Sequence, residues 1–374
     1  MTLLVDKPGQ PGAHALVLGV GDYAHLQGGS GPLSPDHGGM GQLSSPPESA
    51  RAFARFLLQG YSHPALPLAS LDLLVSEAAS TPFPTPADAL PQRASFDAVK
   101  AAVLAWFARA DADADNLLLF YFCGHGLASG GQTTLLCDDF GSLPPNPLEH
   151  ALDFTGLYLG LDKCKARRQV FFVDACRVAS PTLFTTLNFV GHPVIPGSAR
   201  VATRTRQAPV YYATVAGAAA YGQVGRPSVF TEATLQAFEG AGCDDLDGAW
   251  AVQTDALNRG IFHLMRRAVS RAATVGQLST VDNLTRFALH HLPGRPRVPV
   301  EVACQPDAKQ AHAELACVGN GQHLRRPPAP AAWDLDLEEG DYTFSADLQP
   351  PEAGQGSTST HVSPPFRPVR IPVP

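Results

Sequence analysis

The chain has 374 residues, 45% hydrophobic and 16% charged, which supplies a full core and excludes an intrinsically disordered protein. A net charge of −7, with no Lys/Arg run beyond pairs such as Arg167-Arg168 and Arg325-Arg326, gives no basic field, so no nucleic-acid partner is expected. No apolar run reaches the roughly 18 residues of a membrane span, the start MTLLVDKPGQPG lacks an export pattern, and seven cysteines without pairing-like spacing suit a reducing compartment, so a cytoplasmic location away from membranes is expected.

In chain order, ALVLGV (15–20) reads as a strand, and ESARAFARFLL (48–58) places Ala50, Phe53, Ala54 and Leu57 at helical spacing. LDLLV (71–75) is a second strand, and SFDAVKAAVLAWFARA (95–110) a helix with Ser95 as cap and Phe96, Val99, Val103 and Phe107 on one face. Leu117 to Cys123 is apolar throughout, too short for a free-standing helix, and reads as a strand buried on both faces. A helix over 153–166, strands over 169–176 and 208–216, and a helix over 230–240 ending at Gly240 continue the alternation. Strands alternating with helices predict an α/β three-layer sandwich around a mainly parallel sheet. Ser180 to Gln207, rich in Pro, Gly, Thr and Arg, reads as a long irregular loop of the kind that serves as a lid or a cleavable linker. Ala249 to Arg271 reads as one more helix, and from about Gln322 the chain turns Pro-rich with short β-like pieces such as DYTFSADL (341–348). The expected division is a main domain over 13–270 and, over 271–374, a Pro-rich extension forming a small C-terminal β appendage.

The chemistry concentrates at two strand ends. FYFCGHG leaves His125 just past the carboxyl end of one strand, and QVFFVDACR leaves Cys176 at the end of another. Ligands of open α/β sheets bind at that edge. If the strands are neighbours, a thiol and an imidazole stand side by side, as a cysteine nucleophile and its base require. The amides of Gly126 and Cys176 are candidate oxyanion donors, and Gly124 and Gly126 would let a substrate backbone approach without a Cβ in the way.

Taken together, these stretches resemble the caspase-like clan of cysteine peptidases: a His-Gly after an apolar strand, then Asp-Ala-Cys 51 positions on. HALVLGVGDY (14–23), TTLLCDDF (133–140), YYATVAGAAAYG (211–222) and SVFTEATLQAFEG (228–240) are similar to other parts of that fold, and the likeness spans about residues 13 to 270. The resemblance implies an endopeptidase with a Cys176–His125 dyad acting on proteins or peptides. Asp174 stands where animal caspases carry Gln, as in metacaspases and bacterial caspase-like peptidases, and so is a candidate floor for a basic P1 side chain. Where metacaspases supply a second acid the chain has SPPESA, with Ser49, a change that leaves room for an uncharged P1 residue. The same wider group includes bacterial peptidases that activate gasdermins, which makes a gasdermin one substrate the resemblance allows and bacterial defence the setting. The alternative function is a catalytically silent caspase-like scaffold docking through the C-terminal appendage.

No cofactor is expected. Cys123, His125 and Cys176 have zinc-ligand chemistry but no Cys-x-x-Cys or His-x-x-x-His spacing. CDDLDG (243–248) fails as an EF-hand, with Cys243 at the first ligand position and Thr254 at the last, so it reads as a solvated acidic turn, a loose calcium site being the alternative. GVGDY continues with Ala24, which breaks the dinucleotide pattern.

Overall fold

The computed structural model describes residues 2–7, 9, 11–84, 89–129, 131–176, 190–197, 206–214, 224–246, 248–272 and 277–374. Along the chain run β1 (Thr2–Asp6), β2 (Ala13–Val20), α1 (Ser45–Gln59), β3 (Leu68–Ser76), α2 (Phe96–Ala110), β4 (Leu117–Gly124), β5 (Gly126–Ser129) and β6 (Gln132–Leu136). Then follow β7 (Ala151–Asp153), α3 (Phe154–Gly160), β8 (Arg168–Ala175), β9 (Val210–Tyr212), α4 (Val229–Gln236), β10 (Cys243–Leu246), β11 (Ala249–Gln253), α5 (Thr254–Ala272) and β12 (Thr280–Asp282). The last strands are β13 (Ala288–His291), β14 (Arg297–Gln305), β15 (Ala313–Gly319), β16 (Gln322–Arg326), β17 (Trp333–Glu338), β18 (Gly340–Leu348), β19 (Gly354–Val362) and β20 (Arg367–Pro372). Among the described residues no helix is long and apolar enough to cross a membrane. The chain divides into two compact units, residues 1–235 with 265–287, and residues 236–264 with 288–374.

The first unit is an α/β sandwich on a seven-stranded sheet of order β1-β3-β2-β4-β8-β9-β12. Its inner strands are parallel, and antiparallel β1 and β12 close the two edges. Successive side chains of each strand point to opposite faces, and both faces are covered. On one face Leu16, Leu18, Leu118, Phe120, Phe122, Phe171 and Val173 join a buried cluster with Val99, Val103 and Trp106 of α2 and Leu157 of α3. On the other, Tyr121 stacks on Phe53 of α1 at 4.4 Å between ring centroids, and Phe172 stacks on Tyr211 at 5.1 Å. Fully burying each such side chain contributes about 1.5–3 kcal/mol, which is why the sheet reads as continuous apolar runs. Helix α1 starts on Pro46 and Pro47, whose missing N–H groups cost nothing in a first turn. Ser95 makes no side-chain cap bond at the start of α2; the Asp139 carboxylate accepts the Phe96 N–H at 2.9 Å instead. A second, three-stranded sheet, β5-β6-β7, follows the end of β4.

The second unit carries the extra C-terminal strands. Residues 249–253, expected to open a helix, form strand β11, which pairs antiparallel with β10 and β13 before α5 begins at Thr254. Cys243–Leu246 of the CDDLDG segment is thus strand, paired antiparallel with β11, rather than part of a turn. From β14 onward the chain is a β-sandwich of two sheets, β17-β14-β20 and β16-β15-β18-β19. Val298, Val300 and Val302 of β14, Leu315 of β15, Phe344 of β18 and Ile371 of β20 form its own core. The prolines fit because of where they lie. Pro368 and Pro372 sit on edge strand β20, and Pro299 precedes the point where β20 joins β14, so it has only β17 beside it.

Candidate active site

Strands β4 and β8 are parallel neighbours, in a register that pairs Cys123 with Asp174 and Gly124 with Ala175. The next residue of each chain leaves the sheet at the same edge, and those residues are His125 and Cys176. Both line one cleft of about 210 Å³, together with Cys123, Asp174, Ser228 and a wall from Gln42 to Pro46.

His125 Nε2 lies 2.8 Å from the Gly41 carbonyl. A carbonyl only accepts, so Nε2 carries the proton and Nδ1 is the basic nitrogen. The His125 N–H donates to the Tyr23 hydroxyl at 2.7 Å, and the two rings lie 4.9 Å apart. Burial lowers the His125 pKa below the ordinary 6.5, an effect the Gly41 bond only partly offsets. The imidazole is therefore neutral at neutral pH.

The glycines around His125 also meet a packing requirement at the strand ends. A Cβ on Gly124 would come within 2.8 Å of the Tyr23 hydroxyl and 3.1 Å of the Val20 carbonyl, and one on Gly126 within 2.8 Å of Ala175 Cβ and 3.0 Å of the Cys176 carbonyl. They let neighbouring strand ends close up around the histidine.

Asp174 is buried, 3% exposed, on the strand that ends at Cys176. Its Oδ2 accepts from Thr231 Oγ1 at 2.7 Å, from Ser228 Oγ and from Cys123 Sγ at 3.4 Å. Burial raises its pKa, against the pull of those donors. Ser49, of the SPPESA stretch, accepts the Ser228 N–H at 2.9 Å and so belongs to the same buried network. Tyr121 donates to Thr231 at 2.5 Å from the sheet below. Tyr23, Gly41, Ser228 and Thr231 were not marked as site residues by the sequence, because a backbone carbonyl and single hydroxyls far apart in the chain form no motif of their own.

Among the described residues no group of three or more His, Cys, Asp or Glu is placed to hold a metal ion. Asp138 accepts from Ser76 Oγ at 2.8 Å and Arg93 Nε at 2.9 Å, and Asp244 pairs with Arg259 at 3.1 Å. These acidic groups already have partners. If a basic P1 is preferred, the arginines of the loop expected over 180–207 are its own cleavage targets; of these, Arg200 and Arg204 lie outside the described residues. Arg206 is held: its Nε donates to Gln169 at 2.9 Å and its guanidinium lies 4.2 Å from the centre of the Tyr158 ring, which leaves it poorly placed as a cleavage site.

The caspase-domain family model matches residues 13–287, well over half of the chain. The chain belongs to the caspase-domain family. A relative in Sinorhizobium fredii, described as the uncharacterized protein y4kE, is 28% identical over 304 residues, covering 78% of this chain and 86% of its own. A similar solved structure is that of caspase-1 from Spodoptera frugiperda, with a TM-score of 0.44 at 12% identity, covering 76% of this chain and 96% of that one. Membership at family level makes the chain a caspase-like peptidase, a group whose substrates are proteins.

Proposed function

We propose that the protein is a cysteine endopeptidase whose dyad is Cys176 and His125. The observation that carries this reading is the β4–β8 register, which delivers both side chains to one cleft from adjacent strand ends, with His125 Nδ1 left as a base by the Gly41 bond. His125 Nδ1 takes the Cys176 thiol proton, and the resulting thiolate adds to the scissile carbonyl carbon. The oxyanion so formed is met by the Gly126 and Cys176 amides. Leu136 N–H donates to the directly opposed His125 carbonyl, so in the alternating ladder Gly126 falls at a non-hydrogen-bonded position and its N–H is not consumed by β6. Imidazolium at His125 protonates the leaving amine as the C–N bond breaks. His125 then takes a proton from water, whose oxygen attacks the thioester, releasing the acid and restoring the thiol.

Asp174 would select Arg or Lys at P1, since its hydrogen-bond partners are neutral hydroxyls and a thiol, and a substrate cation would supply the charge it lacks. The substrate is a protein cut at few sites, a bacterial gasdermin being one such partner, in the cytoplasm and without a cofactor. The engaged carboxylates of Asp138 and Asp244 support hydrolysis that a chelator leaves unchanged. Fluorogenic peptides differing only at P1, run with the wild type and Cys176→Ala, test the reading. Hydrolysis that survives in Cys176→Ala rejects the nucleophile, and a preference for Leu or Asp over Arg and Lys rejects the role of Asp174.

A further inference from the structure

Tyr23 lies just past the carboxyl end of β2, beside the strand that delivers His125. It touches His125 twice, by the hydroxyl that accepts the backbone N–H at 2.7 Å and by its ring, 4.9 Å from the imidazole. Its backbone is in turn clamped by one side chain. Gln42 Oε1 accepts the Tyr23 N–H at 2.7 Å, while Gln42 Nε2 donates to the Tyr23 carbonyl at 3.0 Å and to the Gln27 carbonyl at 3.0 Å. Only one orientation of the amide satisfies all three, with oxygen toward the N–H and nitrogen toward the carbonyls. Gln42 also follows Gly41 directly, and the Gly41 carbonyl is the acceptor for His125 Nε2. The contacts therefore close a ring, from Tyr23 to His125, to Gly41, to Gln42 and back to Tyr23.

We propose that Tyr23 and Gln42 are positioning residues that jointly fix the His125 ring opposite Cys176. The inference deepens the peptidase reading and rests on it. Tyr23 sets where the histidine backbone leaves the sheet, and Gln42 holds the carbonyl that sets the tautomer. Neither need touch the reacting atoms. The tyrosine is fully buried, and a Cβ on Gly124 would meet its hydroxyl at 2.8 Å, so the hydroxyl is built into the strand ends and has no alternative place. Much of Gln42 is exposed, but its amide head is occupied on every side that the ring needs. Burial holds the imidazole pKa down, so a loosened ring that lets water in moves it back toward 6.5.

The experiment compares Tyr23→Phe, which keeps the ring and removes the hydroxyl, with Gln42→Ala and the double variant, using the best peptide of the P1 panel. Each single variant should lose about ten- to a hundredfold in kcat with KM nearly unchanged, as outer-shell residues do. The acid limb of the pH–rate profile should shift upward, and the double variant should be little worse than the poorer single one. Gln42→Glu keeps the acceptor and loses both donors, and should be as poor as Gln42→Ala. A kcat within about twofold of wild type in both single variants overturns the proposal. So does a loss that matches the loss of folded protein by circular dichroism, with the acid limb unmoved. The rate at which iodoacetamide alkylates Cys176, followed by mass spectrometry, separates the two levels of inference. An inert thiol and no hydrolysis in wild type reject the peptidase reading itself, whereas an active wild type with equally active variants rejects only the positioning roles.

Discussion

Cys176 carries the reaction proposed here without carrying the fold. It stands beyond the last residue of β8, so Cys176→Ala removes one sulfur from a strand end and leaves the apolar run of the strand untouched. Peptide hydrolysis should fall to the detection limit while the melting temperature stays within about 2 °C of wild type. His125→Ala should lose about a thousandfold or more, and the double variant no further, because members of a catalytic unit are not additive. The shifts on the two cleft acids give the pH dependence its signs. With His125 lowered by burial, the acid limb of kcat/KM should lie below 6.5, since the base stays unprotonated further into acid. Asp174 is raised by burial, so its charge is lost at a higher pH than that of an ordinary carboxylate, and KM for an Arg P1 peptide should climb as the pH falls while KM for a Leu peptide does not. In Asp174→Asn that difference should vanish, with the Arg preference falling by about tenfold or more. A KM for the Arg peptide that is flat with pH would detach Asp174 from P1 recognition.

At the scale of the element, β3 makes a separate prediction. Asp72 is fully buried and paired with Arg109 of α2, and burial lifts its carboxyl to about 6 in spite of that guanidinium. A folded pKa above the ordinary 3.8 means that the folded chain holds the proton more tightly. The stability this contributes is complete below pH 3.8 and is lost as the pH rises through about 6. Asp72→Asn should therefore flatten the change in melting temperature across that window, whereas an unaltered slope would show that Arg109 holds the carboxylate charged throughout. The strands and helices of the first unit were legible because burial on both sheet faces writes continuous apolar runs, and α1 and α2 repeat their apolar residues at helical spacing. What was illegible has physical causes. Trp250, Ala251 and Val252 of β11 run directly into α5, and an apolar stretch shorter than a helix has no period that tells it from one. The cap of α2 comes from Asp139, 43 residues downstream of Phe96, which no local pattern reports. Likewise His125, Cys176 and Asp174 could be named from two strand ends, while Tyr23 and Gln42 reach them through backbone groups and one ring contact that form no sequence motif.

For the whole molecule, two buried cores imply two cooperative units. The sheet of the first unit and the sandwich of the second each bury their own aromatic and branched side chains. Phe344→Ala in the sandwich should cost about 3–5 kcal/mol and lower one calorimetric transition while the other stays in place. If both transitions move together, the chain unfolds as one body. The Pro-rich composition of the C-terminal region hid this second core, since Pro299, Pro368 and Pro372 occupy strand positions with an unpaired side, and β15, β18 and β19 alternate in burial rather than running apolar.

The edges of the seven-stranded sheet bear on how copies of the protein meet. At one end, β12 is only three residues long and is followed by Asn283 in the left-handed region, at φ 54°. At the other, β1 has an irregular register between Leu3 and Val5. A second copy docking edge to edge would find a short ladder at one side and a broken one at the other. Catalysis should then be a property of the single chain. Activity per mole of enzyme should stay constant on dilution from micromolar to nanomolar, and sedimentation of the active species should return the mass of one chain, 39.5 kDa.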